Sequence, residues 1–184
     1  MADYILDHHK AGERDRLALM SQLLDPMHRR YIESIGLEPG ARALEVGSGN
    51  GSIAAWLGER TGPNGQVVAL DLDLSLIDFR ASNVEFREGD ILAGPVERDG
   101  YDLVTARAVL HHVPNAQEAI ANLVASVRPG GAILLIEPDF LPVSIRPPGD
   151  RGNRGDGAVQ RRLRLGPVLA ADDRGAARPA RGVG

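Results

Sequence analysis

The stretch "ALEVGSGNGSIA", residues 43–54, sets Gly47, Gly49 and Gly51 between an apolar run and a second one of helical character. Alternate glycines permit positive φ and let a ligand approach the main chain. A helix start follows, which favours negative charge. A phosphate-bearing nucleotide and a sulfonium nucleoside both use loops of this kind, so the neighbouring residues must discriminate. The nucleotide-triphosphate loop G-x-x-x-x-G-K-[ST] needs a cation, and no Lys or Arg occurs between Ala43 and Glu59. The dinucleotide pattern G-x-G-x-x-G needs glycine where Ser52 stands. Glu45, two residues before Gly47, repels a pyrophosphate and suits an ammonium group.

S-adenosyl-L-methionine carries an ammonium, a carboxylate and a sulfonium but no phosphate, and it fits this loop better than a dinucleotide does. Asp71 lies 24 residues beyond Gly47, at the end of "VVALD". That is about the spacing at which an acid accepts hydrogen bonds from ribose hydroxyls, a device that nicotinamide cofactors share. Asp90 follows a third apolar run, where an adenine amino group needs an acceptor, and Ile91 offers an N–H and an apolar contact. Asp90 also suits, less well, the cap of a short helical turn, and Arg107 suits an ion pair with a surface acid. His111-His112 invites a general-base reading, since imidazole titrates near neutrality. Its setting, "LHHVP", suits packed histidines as well. Trp56 reads as core.

The elements that position these residues follow from periodicity. Strand-length apolar runs occur at Ala43–Val46, Val67–Leu72, Val84–Phe86, Leu103–Ala106 and Ala132–Ile136. Ile53, Trp56 and Leu57 share a helical face, as do Ile120, Leu123, Val124 and Val127. Asn115 with Glu118 forms a capping box for the second of these helices, and Pro129-Gly130-Gly131 is expected to end it. The segment after Asp71 reads as a turn or a loop. Leu17, Met20 and Leu24 predict an N-terminal helix, and Asp25-Pro26 the start of a separate one that stops at Gly36. Continuous apolar strands alternating with helices imply a doubly wound, mainly parallel α/β sheet with helices on both faces.

"LEVGSGNGSIA", "VVALDLD", "VEFREGDIL", "YDLVTARAVLHHVP" and "VRPGGAILLIEPD" resemble, in order and spacing, the successive motifs of class I S-adenosylmethionine-dependent methyltransferases. The likeness covers roughly residues 30–140 and is greatest to small-molecule enzymes of the ubiquinone and menaquinone biosynthesis type. It implies a Rossmann-like sheet, S-adenosyl-L-methionine as cofactor and direct methyl transfer to a small molecule. Carried over residue by residue, it implies that Glu45 and the backbone of Gly47, Ser48, Gly49 and Gly51 meet the methionine part. Asp71 would take the ribose, Leu72 would lie against adenine, Asp90 and Ile91 would read the adenine edge, and Arg107 would stand near the methyl group. No catalytic residue and no metal are implied, because the sulfonium is already a reactive leaving group and alignment is the main requirement.

Three segments are expected: a helical cap or lid over 1–30, the cofactor-binding domain over 31–143, and an Arg/Gly/Pro/Ala-rich tail over 144–184. Those four residue types supply 27 of the last 39 positions, a composition expected to be disordered. No candidate for the usual final strands follows "LLIEP", so the chain reads as truncated or frameshifted after the fifth strand. Its apolar edge is then expected to invite self-association. Residues 1–145 carry 12 basic and 21 acidic side chains, against nine and four in the remainder. The acidic body argues against nucleic acid as a partner. The chain has no cysteine for disulfide or thiolate–zinc chemistry, and no run long enough to span a membrane, so a cytoplasmic location is expected. Two alternatives stand beside the methyltransferase. One is a truncated, non-catalytic S-adenosylmethionine-binding module. The other is an NAD(P)-dependent oxidoreductase, disfavoured because the only lysine is Lys10.

Overall fold

The computed structural model describes residues 12–138 and the backbone of 169–171 and 177–179. Five parallel strands form its centre: β1 (Arg42–Val46), β2 (Gln66–Asp71), β3 (Val84–Glu88), β4 (Tyr101–Arg107) and β5 (Val127–Ile136). Two short strands, β6 (Leu169–Ala171) and β7 (Ala177–Pro179), extend the sheet to the order β3-β2-β1-β4-β5-β6-β7. The helices are α1 (Glu13–Ile35), α2 (Ser52–Thr61) and α3 (Ala116–Ser126).

Side chains alternate across the strands, so both faces need cover. Ala43, Val67, Ala69, Leu103 and Leu134 pack with Ile32 of α1 and with Ile53 and Leu57 of α2. Leu44, Val68, Leu70, Val104 and Ile133 pack on the other face with Ala119 and Leu123 of α3. α3 starts as its capping box dictates: the Asn115 side chain accepts from the Glu118 N–H and donates to the Glu118 carboxylate. The segment after Asp71 contains no helix, and it folds Leu76 and Ile77 into the interior.

Three elements depart from the sequence reading. α1 is one helix rather than two, with Pro26 inside it. Proline deprives the Gln22 carbonyl of its usual partner. The helix nevertheless continues, because Asp25, His28 and Ile32 are buried against the sheet. It runs through residue 30, so the expected cap and the sheet domain share it. Pro129-Gly130-Gly131 does not end α3, which stops at Ser126. The triplet forms a bulge in β5: Tyr101 aligns with Val127 but Leu103 with Ala132, and Gly130 has φ +77°. Finally, β5 is not the last strand. β6 pairs antiparallel with it at Ala132 and Ile133. Three-residue strands in an Arg/Gly/Pro/Ala-rich segment carry too little hydrophobic periodicity to stand out in sequence. Otherwise the expectations for the tail, and the first 11 residues of the cap, lie outside the described residues.

Candidate functional site

Strand register assembles the site. Val46 is level with Leu70 and with Ala106, so the next residues, Gly47, Asp71 and Arg107, emerge together at the carboxyl edge. This is where chain order reverses between β1 and β4, and open parallel sheets bind ligands at such a point. Gly47, Gly49 and Gly51 have φ of +74°, +56° and +77°. A Cβ on Gly47 would collide with Val109 Cγ2, so glycine is required there by conformation and by space. Gly51 caps α2 in the left-handed region and lies against Phe79.

Two cavities flank the loop. The larger, about 530 Å³, has an apolar wall that includes Leu17, Met20, Leu24 and Met27 of α1. Facing that wall are Gly47, Ser48, Gly49, Asp71 and Arg107, with His111 and His112. The smaller, about 240 Å³, is lined by Asp71, Leu72, Asp90, Ile91 and Leu92. Gly47, Asp71, Val109 and His112 border both. Eight of the ten residues singled out in the sequence therefore surround one pair of cavities. Glu45 of β1 borders neither cavity, and Gly51 serves the start of α2.

Asp71 Oδ2 accepts the Gly49 N–H at 2.7 Å, which fastens the glycine loop to β2. Asp90 adopts its capping role, with Oδ1 accepting the Leu92 N–H at 2.8 Å. Arg107 pairs with an acid, as its bland reading allowed, but that acid is buried: Nη1 meets Asp25 Oδ1 of α1 at 2.8 Å, with the two side chains 15% and 10% exposed. Trp56 is half-buried under the Arg29 guanidinium.

Glu45 is 5% exposed, and its Oε2 has no partner among the described residues. Burial pushes its carboxyl up to about 8; Arg107 and the Ala54 N–H oppose that shift, whereas Asp25 and Asp71 add to it. Ser48 Oγ is likewise buried without a partner among the described residues.

Sequence reasoning missed two anchors. His28 of α1 is fully buried, with Nε2 2.7 Å from Thr105 Oγ1. The Thr105 hydroxyl donates to the Leu134 carbonyl, so it accepts from His28, whose Nδ1 is then the unprotonated nitrogen. Burial, with Arg107 and Arg29 nearby, lowers His28 to about 3. Nothing in the local pattern marks it, since a histidine on a helix face has no signature. Glu137 was legible, because it is an acid directly after β5, much as Asp71 is the acid that ends β2. Its carboxylate accepts the N–H groups of Val109 and Leu110 at 2.9 and 2.8 Å and meets His111 Nδ1 at 2.6 Å.

With this geometry in hand, residues 44–135 match a family model described as a methyltransferase domain. Ubiquinone/menaquinone biosynthesis C-methyltransferase UbiE of Pseudomonas putida is 32% identical over 144 residues, covering 71% of this chain and 55% of the relative. The relative from Pseudomonas fluorescens matches to the same extent. The chain thus spans about half the length of these curated relatives. Among solved structures, an S-adenosylmethionine-dependent methyltransferase from Aquifex aeolicus superposes with TM-score 0.56 at 20% identity, over 65% of this chain and 68% of that one. The [4+2]-cyclase SpnF gives 0.57 at 20% identity, over 80% and 53%. At such identities the likeness shows the fold alone.

Proposed function

We propose, from the premise that this chain belongs to the methyltransferase domain family, that it binds S-adenosyl-L-methionine at the glycine loop and transfers the methyl group to a small molecule. The observation that carries the reading is the pair of cavities meeting at Gly47 and Asp71. One suits a nucleoside. The other suits an amino acid and an acceptor side by side. The residues present fit the ligand: an orphaned carboxyl oxygen at Glu45, a positive-φ glycine loop, and an acid at the end of β2.

In this reading Asp71 takes the ribose hydroxyls while keeping the Gly49 N–H. Leu72 and Ile91 sandwich the adenine, and Asp90 uses its remaining oxygen at the adenine edge. Glu45 and Ser48 answer the ammonium end, and Arg107 stands between methyl donor and acceptor. The bound ligand supplies an electrophilic methyl on a sulfonium leaving group. The chain supplies alignment and a wall of α1 side chains that excludes water. α1, the expected cap, acts as the lid. The acceptor is a small molecule, the location cytoplasmic, and self-association through the sheet edge belongs to the same proposal. Among the described residues no helix is long and apolar enough to cross a membrane.

The UbiE relatives are named for C-methylation, which supports a carbon acceptor without identifying it. Titration calorimetry with S-adenosylmethionine tests the binding half. Measured affinity should weaken in Asp71→Ala by about 1.5–3 kcal/mol, the range for hydrogen bonds to a charged group. An unchanged affinity would remove Asp71 from the site.

A further inference from the structure

We propose that His111 is the proton acceptor for the methyl acceptor's departing proton, oriented by Glu137 as its positioning residue; this rests on the methyltransferase reading above. The inference starts from backbone geometry. Ala108, immediately after β4, has φ +56°, an unusual conformation for a residue with a Cβ. It is held by its N–H to the Ile136 carbonyl at 2.8 Å. The next three N–H groups, of Val109, Leu110 and His111, all point at the Glu137 carboxylate. Backbone strain persists only where the surroundings over-determine it, and it concentrates at functional sites. Here the strained turn aims a histidine pair at the larger cavity, which both His111 and His112 border.

The side-chain chemistry agrees. A carboxylate can only accept, so the 2.6 Å contact places a proton on His111 Nδ1. In the neutral ring the lone pair is then on Nε2. Glu137 also faces the positive charge that the ring would acquire, as the carboxylate of a catalytic triad does. Among the described residues, His112 lies beside the ring with centroids 3.8 Å apart and planes tilted by 45°, and Arg16 of α1 lines the same cavity. His112 is lowered by burial, then by His111, and also by Arg16. The carboxylate contact is made to His111, so that is the ring it orients. In the step itself, the acceptor's X–H bond breaks, its proton passing to Nε2. Its electron pair forms the new bond to the methyl carbon, and the carbon–sulfur pair stays on sulfur. The imidazolium then returns its proton to water.

Two measurements decide the matter. Imidazole nitrogen spectra of the 15N-labelled full chain, with S-adenosylhomocysteine as a non-reacting probe, should show His111 protonated on Nδ1. Glu137→Ala, which removes the acceptor from Nδ1, should shift the ring towards the Nε2-protonated tautomer. An Nε2-protonated tautomer in the unaltered chain, or a tautomer unmoved in Glu137→Ala, overturns the proposal without needing an acceptor. The second measurement is turnover with phenols, which must lose a proton, against tertiary amines, which need not. His111→Gln should lower the phenol-to-amine ratio of kcat by about 100-fold, with KM little changed. Equal losses on both would make His111 a packing residue. Failure of S-adenosylmethionine to bind in the same samples would instead count against the methyltransferase reading, leaving the tautomer to be judged from the spectra.

Discussion

At the scale of single residues, Glu45 and His28 make opposite predictions about pH. Glu45 holds its proton more tightly folded than unfolded, with its value raised from 4.5 to about 8. Its contribution to stability is complete below about pH 4.5 and is lost as pH rises towards 8. His28 is lowered from 6.5 to about 3, so the unfolded chain binds more protons over that interval. Its contribution is present above about pH 6.5 and is lost as pH falls towards 3. Chemical denaturation across pH should therefore show Glu45→Gln flattening the decline between pH 5 and 8, with the acid limb retained. The same limb would be flattened by His28→Gln; identical pH profiles in all three proteins would contradict both assignments. Gly47→Ala places a methyl on Val109 at φ +74°. It should cost about 1–3 kcal/mol of stability and abolish cofactor binding. Normal thermal stability and normal calorimetric affinity in that variant would show that the loop tolerates a side chain.

At the scale of elements, α1 is held to the sheet by polar side chains as much as by apolar ones. Asp25 meets Arg107, His28 meets Thr105, and Ser21 meets Asn50 of the glycine loop and Ser52 at the start of α2. Leu17, Met20 and Leu24, whose spacing predicted a helix, are only half-buried and face the larger cavity. In the proposed reading this helix is a lid over the cofactor. Amide exchange in residues 13–24 should slow when S-adenosylmethionine is added, and equal protection with and without it would mark a fixed helix. Asp25→Asn strands the buried Arg107 charge and should destabilise by about 3 kcal/mol, measured by denaturant titration. The strands and their shared carboxyl edge were legible because burial on both faces leaves apolar runs, and because glycine and acid punctuation marks their carboxyl ends. The Asp25–Arg107 and His28–Thr105 contacts were not. They join residues about 80 positions apart, and no local pattern encodes such a pairing. Reading Asp25-Pro26 as a helix start followed sound capping chemistry, yet tertiary burial kept the helix continuous.

For the molecule as a whole, the sheet supplies the decisive geometry: β1, β2 and β4 end together and present Gly47, Asp71 and Arg107 at one edge. On the far side, among the described residues, β6 pairs β5 at Ala132 and Ile133. Residues 134–136 thus form a short apolar segment beyond that pairing, and in our reading it favours self-association. Sedimentation velocity should show a concentration-dependent rise in mean mass; a single monomer boundary at all concentrations would argue against it. The central claim is that this crevice takes a sulfonium nucleoside and not a dinucleotide. Calorimetric titration of the full chain with S-adenosylmethionine and, separately, with NAD addresses it most directly. The account predicts saturable one-to-one binding of S-adenosylmethionine, weakened in Asp71→Ala, and no saturable heat with NAD. Binding of NAD with none of S-adenosylmethionine would contradict it.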